Sequence, residues 1–215
     1  FLQNGFDGVN IFNESKSKLL NVAAKRELAD ASQGGSFGPT ISSYKKAVDI
    51  MGSKSDVDIK LLAIPGLRIP AVTENRFDAL YIMDIEERDN INKIMTGSVG
   101  NVNVLNTVNA FKSRGLNSSF AAAYFPDVVV TDETTNTLVS VPPTVAALGA
   151  FSLNDAVAHP WFAPAGFTRG ALNAVESAAV NLSRKNLDDL YDADINPITK
   201  FPGTGMVIWG QKTLL

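Results

Sequence analysis

The sequence predicts a mixed α/β (α+β) fold: a mainly parallel, buried sheet flanked by helices, followed by a β-hairpin and a strand- and loop-rich C-terminal part. Three observations carry this. The runs Ile59–Ile64, Ala79–Asp84 and Ser119–Phe125 are almost continuously apolar, as strands covered on both faces must be. Segments with helical spacing separate them, and alternating strands and helices favour parallel pairing. Hydrophobic residues make up 45% of the 215 positions and charged ones 19%, enough for a sizeable core and too apolar for global disorder.

Taken in order, residues 1–40 form a variable, loop-rich start and 41–215 the α/β core. Lys16–Ala31 reads as a helix, with Leu19, Leu20, Ala23, Ala24 and Leu28 near helical spacing; Gly34-Gly35 and Pro39 then stop propagation. Ser42–Met51 is a short helix with Tyr44, Ala47, Val48 and Met51 on one face, capped by Ser42 or Ser43. The strand Ile59–Ile64 ends at Pro65-Gly66, and Pro70–Arg76 is a short helix with proline in its first turn. After the strand Ala79–Asp84, Asn101–Arg114 forms a helix with Val104, Leu105, Val108 and Phe111 inward and Gly115 as its stop. The third strand, Ser119–Phe125, ends at Pro126. Val128–Val130 and Leu138–Val141 flank the polar Asp132–Asn136, which is the pattern of a hairpin with an exposed turn. Pro142-Pro143 opens a helix to about Ala158 with Val145, Leu148, Phe151 and Leu153 as its apolar face, and His159-Pro160 ends it. Ala163–Leu215 contains short strands and loops, with a helical turn at Leu187–Tyr191.

The formal net charge of −3 argues against a nucleic-acid surface, which normally carries a basic excess. With no cysteine, disulfides, thiolate nucleophiles and cysteine metal sites are excluded. No apolar run approaches the ~18–20 residues of a membrane-spanning helix. Phe1-Leu2-Gln3 carries neither an initiator Met nor a signal-peptide pattern, and the apolar end Leu214-Leu215 completes the picture of a piece of a longer protein.

Chemistry-bearing motifs are few. Gly34-x-Ser36-x-Gly38 matches the nucleophile elbow of α/β-hydrolases, and Asp127 or Asp132 followed by His159 would complete a serine triad in chain order. A helical segment precedes these glycines and Pro39 follows, whereas an elbow needs a strand before it; a loop is the simpler reading. His159, the only histidine, stands at a helix end, where a polar ring can meet the last carbonyls. Ser15-x-x-Lys18 and Ser42-x-x-Lys45 match S-x-x-K without the accompanying S-D-N or K-T-G. Asp56/Asp58 and Asp192/Asp194 offer oxygen ligands, but no calcium loop follows either pair, so turns or caps are expected. Asp84 ends a strand where α/β folds place ligands, with Glu86, Glu87, Arg88 and Asp89 behind it as a solvated turn. No phosphate loop, dinucleotide fingerprint or H-E-x-x-H is present. No catalytic, cofactor-binding or metal residue is assigned. The most distinctive segments are apolar Pro/Gly corners, suited to fixing backbone shape.

Those corners carry a family resemblance. Phe201-Pro202-Gly203-Thr204-Gly205 and Trp209-Gly210-Gln211-Lys212-Thr213-Leu214 are similar to the "FPG-x-G…WGARTL" block of contractile phage tail sheath proteins. Ile195-Asn196-Pro197-Ile198 resembles that family's "gIN-x-I", Trp161–Gly166 its "vWKAPAG", and Val141–Asp155 its "vPPSg-x-vaGvyartD". Ser118–Pro126 resembles "sSyaAlYyPw", Leu61–Gly66 "LLaiPGi", and Gly5–Gly8 "GGtDG". The blocks stand in family order along almost the whole chain. Departures are Gln211-Lys212 for Ala-Arg, Ala158-His159-Pro160 for Arg-Gly-Val, and a longer, more polar Asn13–Thr40.

The resemblance implies a structural subunit, not an enzyme. Such a subunit polymerises helically with other sheath subunits around an inner tail tube, joined to a baseplate, in a bacteriophage virion assembled in the host cytoplasm. On contraction it drives the tube through the host envelope, powered by two alternative packings and requiring no cofactor. Nucleic acid and membrane insertion have no part in it. The family's terminal arms, which exchange strands between neighbours, fall outside the resembling blocks, so this fragment alone is expected to be monomeric. The Asp132–Asn136 turn is a candidate outer-surface loop. The competing readings are a serine hydrolase using Ser36 and His159, and a sheath of a related bacterial injection machine.

Overall fold

The structure is a computed structural model that describes residues 46–47, 49–66, 68, 78–95, 101–159 and 161–215. The chain divides into two compact units, Phe1–Asp58 and Ile59–Leu215. In the first, residues 46–47 and 49–51 are helical, within the helix expected over Ser42–Met51, although Ala47 and Met51 are exposed. The turn that follows is tied by Ser53 Oγ donating to Asp56 Oδ2 at 2.7 Å. The expected helices Lys16–Ala31 and Pro70–Arg76 lie outside the described residues.

The second unit is built on a sheet of five strands in the order β1-β2-β3-β7-β8. These are β1 (Leu61–Ala63), β2 (Leu80–Asp84), β3 (Ala121–Phe125), β7 (Ile195–Lys200) and β8 (Met206–Ile208). The first four run parallel, and β8 returns antiparallel to β7. Every residue of β3 is buried, and so is β2 except at Leu80, which explains their unbroken apolar runs. Three alanines of β3, Ala121 to Ala123, let neighbouring layers approach closely. The peptide bond Phe125–Pro126 after it is cis.

The hairpin is present as β4 (Val128–Asp132) and β5 (Thr137–Val141), joined by β6 (Val175–Ala178) in a second sheet of order β5-β4-β6. Both pairings are antiparallel. The hairpin turn is made locally: Asp132 accepts from Thr134 N at 2.9 Å and from Thr135 Oγ1 at 2.7 Å, and Asn136 takes a φ of 52°.

Helix α1 (Val104–Lys112) starts at Asn103, whose side chain accepts from Asn106 N. It buries Val104, Thr107, Val108 and Phe111, the i, i+3, i+4, i+7 set. Leu105, expected inward, is exposed because it sits one residue, about 100°, off that stripe. Helix α2 (Pro143–Val157) packs on β2 and β3. Its expected face is also corrected. Thr144, Ala147, Ala150 and Asn154 are buried, Leu148 and Phe151 pack at the margin of the core, and Val145 and Leu153 are exposed. The helix is apolar nearly all round, so hydropathy does not orient it; the small side chains face the sheet because they permit the closest approach. The short α3 (Gly166–Arg169) follows, and α4 (Arg184–Tyr191) opens with a Ser183–Asn186 capping box and packs on β7 and α1.

The main core lies between the sheet, α2 and the β6 region: Ile82, Tyr124, Val128, Ala147, Leu172, Ile198, Met206 and Ile208. Each fully buried aliphatic chain there contributes ~1.5–3 kcal/mol of transfer free energy.

Candidate functional site

Two constructions in the second unit use polar chemistry in buried surroundings. The first locks the C-terminal segment to the sheet. Asn196, 1% exposed, sits on β7. Its Nδ2 donates to Ala123 O at 3.1 Å and to Lys212 O at 2.8 Å, while its Oδ1 accepts from Lys212 N at 2.8 Å. A Cβ at position 210 would stand 2.9 Å from Asn196 Oδ1, so the close approach requires Gly210. Trp209 N donates to Pro197 O at 2.8 Å, and Leu214 N to Ala121 O at 3.0 Å, fixing the segment on both sides of the lock. The Lys212 side chain is held separately: Nζ donates to Tyr191 O at 2.8 Å, pairs with Asp194 at 3.0 Å and lies 3.6 Å from the centre of the Tyr191 ring.

The Pro/Gly corners shape the surroundings. Gly203 and Gly205, with φ of 79° and 42°, turn the chain from β7 into β8. Ile208 N donates to Gly170 O and Leu172 N to Met206 O, each at 2.8 Å, bringing the segment after α3 alongside β8. Phe167, Phe201 and Trp209 form one aromatic cluster with centroids 4.7–5.4 Å apart. Beside it an open groove of about 600 Å³ is lined by Ala165, Leu187, Tyr191, Pro197, Trp209 and Gln211, among others.

The second construction closes the C-terminal end of the parallel strands. Asp84, fully buried, accepts from Gly66 N at 2.8 Å, from Thr144 N at 2.9 Å and from Thr144 Oγ1. It thereby caps α2, whose own N-cap, Pro142, offers no side-chain bond. Arg68 forms a bidentate pair with Asp127, 2.8 Å to each oxygen, and donates to Ile85 O at 2.7 Å. Burial raises the Asp127 pKa, and Arg68 opposes the rise. Glu86 is held between Arg88 and Arg114, each at 2.9 Å. Glu87 is 6% exposed; burial first, then the Asp127 charge, push its carboxyl up to about 7.

This geometry ties the last segment to β3 and β7 in the core. The phage tail sheath protein central domain matches residues 40–214. The chain belongs to the phage tail sheath family. The tail sheath protein of Vibrio phage KVP40 is 42% identical over 78 residues, 36% of this chain and 11% of that protein. That of Enterobacteria phage T4 is 24% identical over 212 residues, 97% of this chain. The chain spans 32% of the T4 protein's length. The fold is shared with an extracellular contractile injection system sheath complex in its contracted state, with a TM-score of 0.58 and 21% identity over 95% of this chain and 52% of that one.

Of the blocks that carry the resemblance, Gly5–Gly8 lies outside the described residues, Leu61–Gly66 contains β1, and those at β3, β7 and the last segment are joined directly through the Asn196 lock. The residues considered for chemistry do not come together. Ser36 lies outside the described residues, as do Ser15, Lys18, Ser42 and Lys45. Asp127 is committed to Arg68, Asp132 folds into its own hairpin turn, and His159 stacks on Trp161 with centroids 4.6 Å apart. Asp56 and Asp58 are exposed, Asp192 follows α4, and Asp194 pairs with Lys212. Glu86–Asp89 is not the solvated turn expected: Glu87 is buried and Glu86 is bridged, because the segment folds over the sheet end towards α1, where Arg88 N donates to Thr107 Oγ1 at 3.0 Å. Among the described residues, no group of three or more His, Asp or Glu could hold a metal ion, and no helix is long and apolar enough to cross a membrane. Sequence reasoning missed the Asn196 lock and the Arg68–Asp127 pair. The only local signal of the first was that Asn196 interrupts an apolar strand.

Proposed function

We propose that the protein is a structural subunit of a contractile bacteriophage tail sheath, of which this chain is the central domain. Whole subunits polymerise helically around the inner tail tube, meet the baseplate at one end of the tail, and contract to drive the tube through the host envelope. The observation that carries this reading is the family match over residues 40–214. The subunit performs no catalysis: Asp84 is spent on capping and Asp127 on pairing with Arg68, and the energy of contraction comes from two alternative packings of the domain. It acts in the virion after assembly in the host cytoplasm.

Immunogold electron microscopy with antibody raised against this chain tests the reading. Labelling should follow the outer cylinder along the whole tail, in both extended and contracted particles. Labelling confined to the capsid, the tube or the fibres would exclude it. For the catalytic alternative, a fluorophosphonate probe should leave the protein unlabelled; labelling abolished by Ser36→Ala would establish a hydrolase instead.

A further inference from the structure

The buried Asp84 and Glu87 and the half-buried Asp127 place carboxyl groups at the C-terminal end of the parallel strands, and the charge compensation there is uneven. Asp84 is satisfied by two backbone N–H groups and the Thr144 hydroxyl. Asp127 holds both of its oxygens against Arg68. Glu87 accepts from the Asp127 backbone N–H, but its Oε1 is buried with no hydrogen-bond partner. A buried carboxylate oxygen without a donor is costly, whereas a protonated carboxyl is far cheaper to bury.

We propose that Glu87 is a proton switch for the loop after β2: protonated, it lets residues 85–95 close over the sheet end, and ionised, it loosens them. The groups facing it are Asp127 from the β3–β4 connection, Arg68 from the segment after β1, and Asp84 from β2. Asp127 and Asp84 favour the protonated form and Arg68 opposes it. On its own segment, Glu86 is neutralised between Arg88 and Arg114, and Asp89 accepts from Ile91 N and Lys93 N. Tyr81 on β2, pushed up to about 12 by burial and by Asp84, stays neutral throughout the relevant range. The loop is coupled to Glu87 through its backbone: Met95 N donates to Glu87 O at 2.8 Å, and Arg88 pairs with Ile94.

The sign follows from linkage. Below the ordinary carboxyl value of 4.5 both folded and unfolded chains hold this proton. Between 4.5 and about 7 only the folded chain holds it, so stability falls as pH rises through that window. Above about 7 the full penalty is present, roughly 300-fold in the folding equilibrium.

Carbon-detected NMR titration of the chain, with the Glu87 carboxyl assigned through the backbone, tests this directly. The carboxyl should titrate near 7; a midpoint at or below 4.5 would overturn the proposal. Denaturant unfolding of wild type and Glu87→Gln gives the second readout, because Gln keeps the shape without the charge. The wild type should lose roughly 70-fold relative to the variant between pH 5 and pH 8. Parallel pH dependences would overturn it. At pH 8 the Met95 amide should exchange faster in the wild type than in Glu87→Gln, and equal rates would remove the coupling to the loop. Should Glu87→Gln fail to fold, the wild-type titration decides alone.

Discussion

Asn196 is a polar side chain in one of the most enclosed positions of the chain, and its value lies in three hydrogen bonds that join β3, β7 and the terminal segment. Asn196→Ala removes all three and leaves the Ala123 and Lys212 carbonyls and the Lys212 N–H to find other partners. The expected cost is about 3 kcal/mol in denaturant unfolding. Gly210→Ala attacks the same lock sterically, since its Cβ would lie 2.9 Å from Asn196 Oδ1 and 3.3 Å from its Cα. It should be of similar severity, and an unchanged unfolding midpoint for either variant would show that the segment is not held this way. Asp84 is a comparable case: Asp84→Ala strips the cap from α2 and the partner from Gly66 N, again about 3 kcal/mol. Position 211–212 differs from the family pattern, yet the lock survives because it uses the backbone of Lys212 and leaves its side chain free to pair with Asp194. Asp84 stood out in the sequence only by its place at a strand end and Asn196 only as an interruption of an apolar strand; neither role was legible, because the partners lie 16, 60 or 73 positions away.

At the scale of elements, the sequence was informative wherever burial is two-sided or the periodicity is sharp. Strands β2 and β3 were expected close to where they stand, because strands covered on both faces read as nearly continuous apolar runs. The hairpin was legible from its two apolar runs and the polar Asp132–Asn136 turn between them. Helix α4 was expected as a single turn, since its capping box begins before any apolar residue. Helix α2 was placed correctly but turned the wrong way, because its large apolar residues look outward as well as inward. This orientation makes a prediction in two parts. Ala147→Leu forces a larger side chain between α2 and the sheet and should cost about 1–3 kcal/mol. Val145→Thr, on the exposed side, should stay within ~0.5 kcal/mol. The same chemical unfolding assay reads both, and the reverse order would mean that the helix face is misassigned.

For the whole molecule, the relation of fold to assembly turns on which surface can change without consequence. The hairpin β4–β5 is the best case. Leu138 is 68% exposed, and among the described residues the turn at its tip is closed by bonds among Asp132, Thr134, Thr135, Asn136 and Thr137. Inserting a short epitope between Thr134 and Thr135 therefore breaks no bond to the core and should shift the unfolding midpoint little, since loop-closure cost grows only slowly with length. If the turn lies on the outer surface of the sheath, full-length subunits carrying the epitope should still assemble, and antibody should decorate intact tails without prior dissociation. Two opposite results have distinct meanings. Normal folding with failed assembly would place the hairpin between subunits. Normal assembly with an epitope reachable only after dissociation would place it against the tube. The uncharged edge of β5 sharpens the choice, because an exposed strand of Thr, Leu, Val and Ser invites pairing unless something covers it or the neighbouring copies stand too far away. Decoration of intact tails would select the second of these.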